Sequence, residues 1–176
     1  MAGRDRAAFA DFVAARSGAL HRAAYLMVGD VGLAQDLVQE ALTKTYVAWP
    51  RLRDSANAEA YTRKVITNTA ITWFRRKGWN AERVSEHLPE QAHAGHADHV
   101  SDRAALMDAL SQLPPRQRAA IVLQFYDDMT EAQTAAAMDC AVGTVKSQVS
   151  AGLTKLRALL GDAVDLDDLM PTGGAA

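Results

Sequence analysis

The chain has a single cysteine, Cys140, in 176 residues. An internal disulfide framework is therefore excluded, and the composition suits a reducing cytoplasm. Isoleucine is scarce: 3 Ile and 13 Val stand against 35 Ala. Ala is the best helix former and β-branched side chains are disfavoured in helices, so the balance points to an all-α protein. No apolar run approaches the roughly 20 residues that cross a bilayer, so membrane insertion is not expected. Arg4, Asp5, Arg6 and Asp11 interrupt the amino-terminal stretch, so a signal peptide is not expected either. Also lacking are a glycine-rich phosphate loop, a nucleophile elbow and a carboxylate pair with a supporting histidine. Nothing argues for an enzyme or for a cofactor.

Charge of one sign is lacking only on average. Lys+Arg total 19 and Asp+Glu 21, a net charge of −2, but the charges are segregated. Residues 1–78 carry 12 basic and 7 acidic side chains, net +5, and the excess sits within 51–77. Residues 79–112 are net −4, residues 113–160 net +1, and the tail 161–176 net −4. A basic block followed by an acidic spacer suggests a local anion-binding face, although a solvated helix gives the same composition.

Apolar spacing organises the chain into helices. Phe9, Phe12, Val13, Leu20, Ala24 and Met27 predict a first helix from Asp5 to Val28, broken by Gly29-Asp30. A second runs from Val31 to Trp49, with Leu37, Val38, Ala41, Leu42 and Trp49 inward and Pro50 as its stop. A third runs from Ala58 to Lys77, with Gly78 as C-cap. Gly78 to Val100 holds Pro89, Gly95 and four histidines with few apolar anchors, and reads as a linker. It would reach about 80 Å extended and about 25 Å as a coil. Helices at 101–112, 115–127, 130–138 and 142–160 follow, with Pro115 suited to a first helical position. The expected organisation is two small helical domains, 1–78 and 102–161, joined by a flexible linker at 79–101 and followed by an acidic tail at 162–176.

Three surfaces stand out. Asp36, Gln39, Glu40 and Thr43 share one face of the second helix, which suits a protein-binding stripe or simple solvation. The third helix combines Tyr61, Arg63, Lys64, Asn68, Trp73, Phe74, Arg75, Arg76 and Lys77. Cations neutralise phosphates, aromatics stack on unstacked bases, and an amide can pair with a base edge. Tyr61 and Phe74 also suit the core. The segment 130–160 reads as helix-turn-helix through Asp139-Cys140-Ala141. Its second helix hides Val142, Val145, Val149, Leu153, Leu156 and Leu160 and shows Thr144, Ser147, Gln148, Ala151 and Lys155. Any helical hairpin gives that spacing too. His87, His93, His96 and His99 crowd into 13 residues with no cysteine nearby, so linker histidines are favoured over a zinc site.

Together these stretches resemble the extracytoplasmic-function (ECF) sigma factors, the smallest sigma subunits of bacterial RNA polymerase, with wording nearest the SigE-type subgroup. Ala34-Gln-Asp-Leu-Val-Gln-Glu-Ala-Leu42 resembles the part of region 2 that binds the polymerase clamp. Ala60-Tyr-Thr-Arg-Lys-Val-Ile-Thr-Asn-Thr-Ala70, ending Trp73-Phe-Arg-Arg-Lys77, resembles the part that holds the melted −10 element. Leu113-Pro-Pro-Arg-Gln-Arg118, Tyr126-Asp-Asp-Met-Thr-Glu131 and Met138-Asp-Cys-Ala-Val-Gly-Thr-Val-Lys-Ser147 resemble region 4, which binds the polymerase flap and the −35 element.

The resemblance implies that Asp36, Gln39, Glu40 and Thr43 contact core RNA polymerase. It implies that Asn68 reads a flipped −10 base while Arg63, Lys64, Trp73, Arg75, Arg76 and Lys77 hold the strand. Thr144, Lys146 and Ser147, with Gln148 and Ala151, would lie at the −35 element. It further implies promoter DNA and an anti-sigma factor as partners, a monomer when free, and no room for the larger regions of a housekeeping sigma factor. One departure matters. The family's recognition helix carries arginines where this chain has Gln148 and Ala151, and Arg to guanine is the commonest specific base contact, so strong −35 reading is in doubt. The rival readings are a dimeric helix-turn-helix regulator on duplex DNA and a histidine-based metal sensor.

Overall fold

The computed structural model describes residues 3–52, 54–76 and 97–161, and every element among them is helical. The order is α1 Gly3–Val28, α2 Val31–Leu52, α3 Ser55–Arg76, α4 Ala97–Ser111, α5 Pro115–Ile121, a π-helical turn Val122–Tyr126, α6 Glu131–Met138 and α7 Val142–Leu160.

Helices α1 to α3 form the amino-terminal half. Phe12, Leu20, Ala24 and Met27 of α1 are buried, as their three-four spacing predicts. The break after α1 is a paired cap. Gly29 adopts φ +76°, the left-handed conformation that closes a helix at little cost to glycine. Its N–H donates to the Tyr25 carbonyl at 2.7 Å. Asp30 then caps α2, its carboxylate accepting from the Leu33 N–H at 2.7 Å. Asp54 does the same for α3 through the Asn57 N–H.

Phe9 packs edge-on against Tyr46 and Trp49, with centroids 5.0 and 5.1 Å apart, and Phe12 lies 5.5 Å from Trp49. Such pairs contribute about 0.5–1.5 kcal/mol each beyond their burial. Buried Thr45 and Thr62 bring their hydroxyls to 2.7 Å, tying α2 to α3.

Pro50 does not stop α2, which continues to Leu52. A proline removes one N–H and crowds the preceding turn, but Pro50 is exposed and sits in the last turn. Trp49 just before it is anchored by the Phe9 and Phe12 rings. The third helix also starts earlier than its apolar pattern predicts, at Ser55, because Asp54 supplies the cap. Lys77, Gly78 and most of the expected linker lie outside the described residues, as does the tail beyond Gly161. Residues 97–100, expected in the linker, already belong to α4.

In the carboxy-terminal half, Leu106, Leu110, Leu113, Ile121 and Leu156 form a small core between α4, α5 and α7. Pro115 takes the first-turn position of α5, where its missing N–H costs nothing. Gly152 lets α7 pack closely on α5: a Cβ there would stand 2.5 Å from Ile121 Cδ1. The helix expected over 115–127 is in fact α5 running into a π turn, with Asp127 N–H reaching back to Val122 O at 3.1 Å. Thr130 caps α6 with a full capping box: its hydroxyl accepts from the Gln133 N–H, and Gln133 Oε1 accepts from the Thr130 N–H. Asp139, at φ +54°, ends α6 and opens the turn into α7. Val142 is not hidden. It is 39% exposed, because it starts the helix on the solvent side of that turn, whereas Val145 and Leu156 are buried.

The halves share one core. Ala119, Ala120, Val122, Leu123, Ala137 and Met138 are buried in the same cluster as Leu20, Met27, Leu37, Val38 and Ile66.

Candidate functional site

Helix α2 buries Ala34, Leu37, Val38 and Ala41, which turns the positions between them outward. Asp36, Gln39 and Thr43 are exposed and Glu40 is half-buried. Glu40 pairs with Lys44 at 2.7 Å, and the Thr43 hydroxyl donates to Gln39 O at 2.8 Å. Val47, the next position along this stripe, is 76% exposed. An apolar side chain left in water beside a polar stripe suits a partner contact. Sequence reading passed over Val47, although its spacing of four from Thr43 and three from Lys44 was available. Beside the stripe runs a shallow groove lined by Phe9, Val13, Leu42 and Tyr46.

Helix α3 divides its candidate residues into two groups. Toward its carboxy-terminal end, Trp73 and Phe74 are half-buried against the shared core, while Arg75 and Arg76 are exposed. Two cations in the last turn also complement the helix dipole. Tyr61 is half-buried at the cleft between α3 and α6. In the middle of α3, Arg63, Lys64 and Asn68 meet the carboxy-terminal half. Arg63 is bridged to Asp127 and to Glu59, the latter at 3.0 Å. Lys64 Nζ lies 3.2 Å from Asp139 Oδ1. Asn68 Nδ2 donates to Ala137 O at 2.8 Å and to Lys64 O at 2.9 Å.

The turn between α6 and α7 is the helix-turn-helix turn, with Thr144 N–H donating to Ala141 O at 3.0 Å. On α7, Lys146, Ser147 and Ala151 are exposed, and Thr144 and Gln148 are half-buried. Lys146 pairs loosely with Glu131 at 3.4 Å, and the Ser147 hydroxyl turns back to Thr144 O. An exposed pair of this kind is worth at most about 1 kcal/mol and yields readily to a phosphate.

Sequence reasoning missed the residues that join the halves. Arg118 is 5% exposed, and its Nε donates to Leu26 O at 2.5 Å. Its guanidinium passes over Gly29, where a Cβ would stand 3.3 Å from Nη2. The cation therefore sits at the negative end of α1, which partly offsets its burial. Burial nevertheless lowers its pKa to about 10, and the charge of Tyr25 opposes that shift. Asp127 and Asp139 were visible only as members of acidic turns; nothing local shows that they face α3. His87, His93 and His96 lie outside the described residues, and among the described residues no group of acidic, histidine or cysteine side chains is placed to hold a metal. No described helix is long and apolar enough to cross a membrane.

A three-helix unit with a basic third helix, packed on a unit ending in a helix-turn-helix, defines a sigma-type transcription factor. Residues 12–80 match the family model for sigma-70 region 2, and residues 103–156 match that for sigma-70 region 4. The RNA polymerase sigma-E factor of Streptomyces coelicolor is 41% identical over 159 residues, covering 90% of this chain and 89% of that protein. The ECF RNA polymerase sigma factor SigW of Bacillus subtilis is 26% identical over 171 residues, covering 90% of this chain and 91% of its own length. Among solved structures, the sigma factor RpoE of Bartonella quintana, crystallised with the anti-sigma factor NepR, superposes with a TM-score of 0.69 at 25% identity. That match covers 89% of this chain and 98% of that one. The chain belongs to the extracytoplasmic-function sigma factors, the subunits that direct RNA polymerase to promoters.

Proposed function

We propose that three faces of this chain divide the work of initiation. Asp36, Gln39, Glu40 and Thr43, extended by Val47, bind core RNA polymerase. Arg63, Lys64, Asn68, Trp73, Arg75, Arg76 and Lys77 hold the opened −10 strand, Asn68 pairing with a base turned out of the stack. Thr144, Lys146, Ser147, Gln148 and Ala151 lie along the −35 element. The observation that carries this reading is the third helix: cations, an amide and aromatics on one element suit single-stranded DNA, which an ordinary duplex-binding regulator has no use for. Two weak DNA contacts on one polymerase act as a bivalent contact, so neither must be strong alone. That suits an α7 without the two arginines.

The chain itself performs no chemistry in this account; the polymerase does. It acts in the cytoplasm as a monomer when free. The family likeness to a protein crystallised with an anti-sigma factor supports a similar inhibitor here, covering the same faces. Co-purification tests the reading. Tagged protein should bring down core polymerase subunits, and Asp36→Lys/Glu40→Lys should abolish this while Ala151→Arg does not. Tight, sequence-specific duplex binding by the free protein without polymerase would favour the dimeric regulator. Stoichiometric zinc would favour the metal sensor.

A further inference from the structure

From Thr144 to Ala151 the outward stripe of α7 carries no cation. Val145, Gly152 and Leu156 face the core, which leaves Thr144, Ser147, Gln148 and Ala151 together on the side turned away from it. The cations stand to one side of this stripe. Lys146 and Arg157 are exposed and line the same shallow groove along the flank of α7. The division matches the two kinds of contact a helix makes in the major groove. Flanking cations meet phosphates, which hold the helix in place without reading sequence, and the central stripe meets base edges.

The hydrogen-bonding capacity of the stripe is concentrated in Gln148. The Ser147 hydroxyl is turned to Thr144 O at 2.9 Å. The Gln148 amide makes no hydrogen bond among the described residues. An amide sets a donor beside an acceptor. In the major groove adenine presents the matching pair, an N6 donor beside the N7 acceptor. Guanine presents two acceptors, O6 and N7, so the Gln148 carbonyl would face a lone pair and stay unpaired. Cytosine and thymine each offer one polar group. Ala151 lies about 4.5 Å further along the helix axis, close to the roughly 3.4 Å of one base step. Its exposed methyl makes no hydrogen bond, and its apolar partner in that groove is the thymine methyl.

We propose that Gln148 is the specificity-determining residue of α7 and selects adenine, with Ala151 against a thymine methyl at a neighbouring step, so that this chain reads its −35 element at A·T pairs and not at guanine. This rests on the reading of α7 as the helix that meets the −35 element. The stripe from Thr144 to Ala151 covers about 10 Å, or about three base steps, so selection is confined to a short core of the element. Lys146 and Arg157 add affinity without choice of sequence. A bidentate amide on adenine discriminates against a wrong base by roughly 5- to 150-fold.

The test uses holoenzyme assembled from core polymerase and the full chain. Templates are built on a promoter that the wild-type holoenzyme transcribes, with its −35 hexamer randomised, and the bound fraction is sequenced. Wild type should enrich adenine over guanine at one position by at least about fivefold. Gln148→Arg should move that position to guanine and Gln148→Glu to cytosine, each by the donors or acceptors its side chain presents. Glutamate keeps the shape of glutamine, so a role in packing alone predicts no change of base. Ala151→Ser should relax the thymine preference at the neighbouring position and leave the adenine position as it is. Lys146→Ala/Arg157→Ala should weaken binding evenly across the library and flatten its salt dependence. Melting temperatures are recorded throughout. Gln148→Ala serves if the charged variants fail to fold, since alanine favours the helix, and adenine enrichment should then vanish. Guanine at that position in wild type, an adenine preference unmoved by the Gln148 variants, or a thymine preference indifferent to Ala151→Ser overturns the proposal, while an effect of Lys146→Ala/Arg157→Ala keeps α7 on the DNA. If no variant, Lys146→Ala/Arg157→Ala included, alters binding to any −35 sequence, α7 does not meet the element, and that reading falls together with the proposal.

Discussion

Asn68→Ala separates base reading from packing. In the free chain Asn68 donates to Ala137 O at 2.8 Å, so the substitution removes one contact between the halves. A hydrogen bond of this kind contributes about 1 kcal/mol net. Alanine recovers roughly half of that, because it is the better helix former at a mid-helix position. The folded chain should lose well under 1 kcal/mol, a melting-temperature fall of no more than about 2–4 °C for a protein of this size. Core polymerase affinity should be unchanged, since the α2 stripe is elsewhere. Promoter opening should suffer more. A side chain pairing with a base edge is worth about 1–3 kcal/mol of discrimination, or roughly 5- to 150-fold. Three measurements decide the matter: melting temperature, core affinity, and opening by permanganate footprint. A large fall in melting temperature with opening intact would show that Asn68 only cross-links the helices, and base reading would have to be abandoned.

Other expectations are simpler. Asp36→Lys/Glu40→Lys should weaken assembly with core at least tenfold before any DNA is added; unchanged affinity in a pull-down titration would clear that stripe of the role. Ala151→Arg should tighten binding to a subset of a randomised −35 library assayed as holoenzyme, by about 1–3 kcal/mol for a bidentate guanine contact; a flat response would place the stripe away from the groove. Gly152→Ala should lower the melting temperature, because the new Cβ would meet Ile121 Cδ1 at 2.5 Å. Overpacking costs about 1–3 kcal/mol, against about 1 kcal/mol regained in helix propensity. A rise in melting temperature would mean that Ile121 moves freely. Replacing His93, His96 and His99 with alanine, or adding a chelator, should leave transcription unaltered; loss of activity with a stoichiometric metal would revive the metal-sensor reading.

The helices were legible because their signals are local. Three-four spacing placed Phe12, Leu20, Leu37 and Val38 inside, and Gly29-Asp30 and Thr130 marked real ends. Pro50 misled because its effect depends on tertiary anchoring: Trp49, locked against Phe9, is a contact no window of α2 contains. The π turn was invisible because it shares composition with an α-helix and differs only in which carbonyl each N–H finds. The candidate faces were legible as residue types on helix faces, and Asp36, Gln39 and Thr43 are indeed exposed together. Their state was not legible. Arg63 to Asp127, Lys64 to Asp139 and Arg118 to Leu26 span 64, 75 and 92 positions, and pairings so distant follow from how two halves dock, which no periodicity encodes.

In the proposed division of work, α2 carries this chain onto core polymerase and α3 captures the promoter strand. Run-off transcription tests it most directly, with purified core enzyme and chromosomal fragments, comparing wild type with Asn68→Ala and Asp36→Lys/Glu40→Lys. Discrete transcripts should require the wild-type chain, be lost with Asp36→Lys/Glu40→Lys, and fall with Asn68→Ala while polymerase still binds. Transcripts that do not depend on the chain, or that are indifferent to both variants, would contradict it.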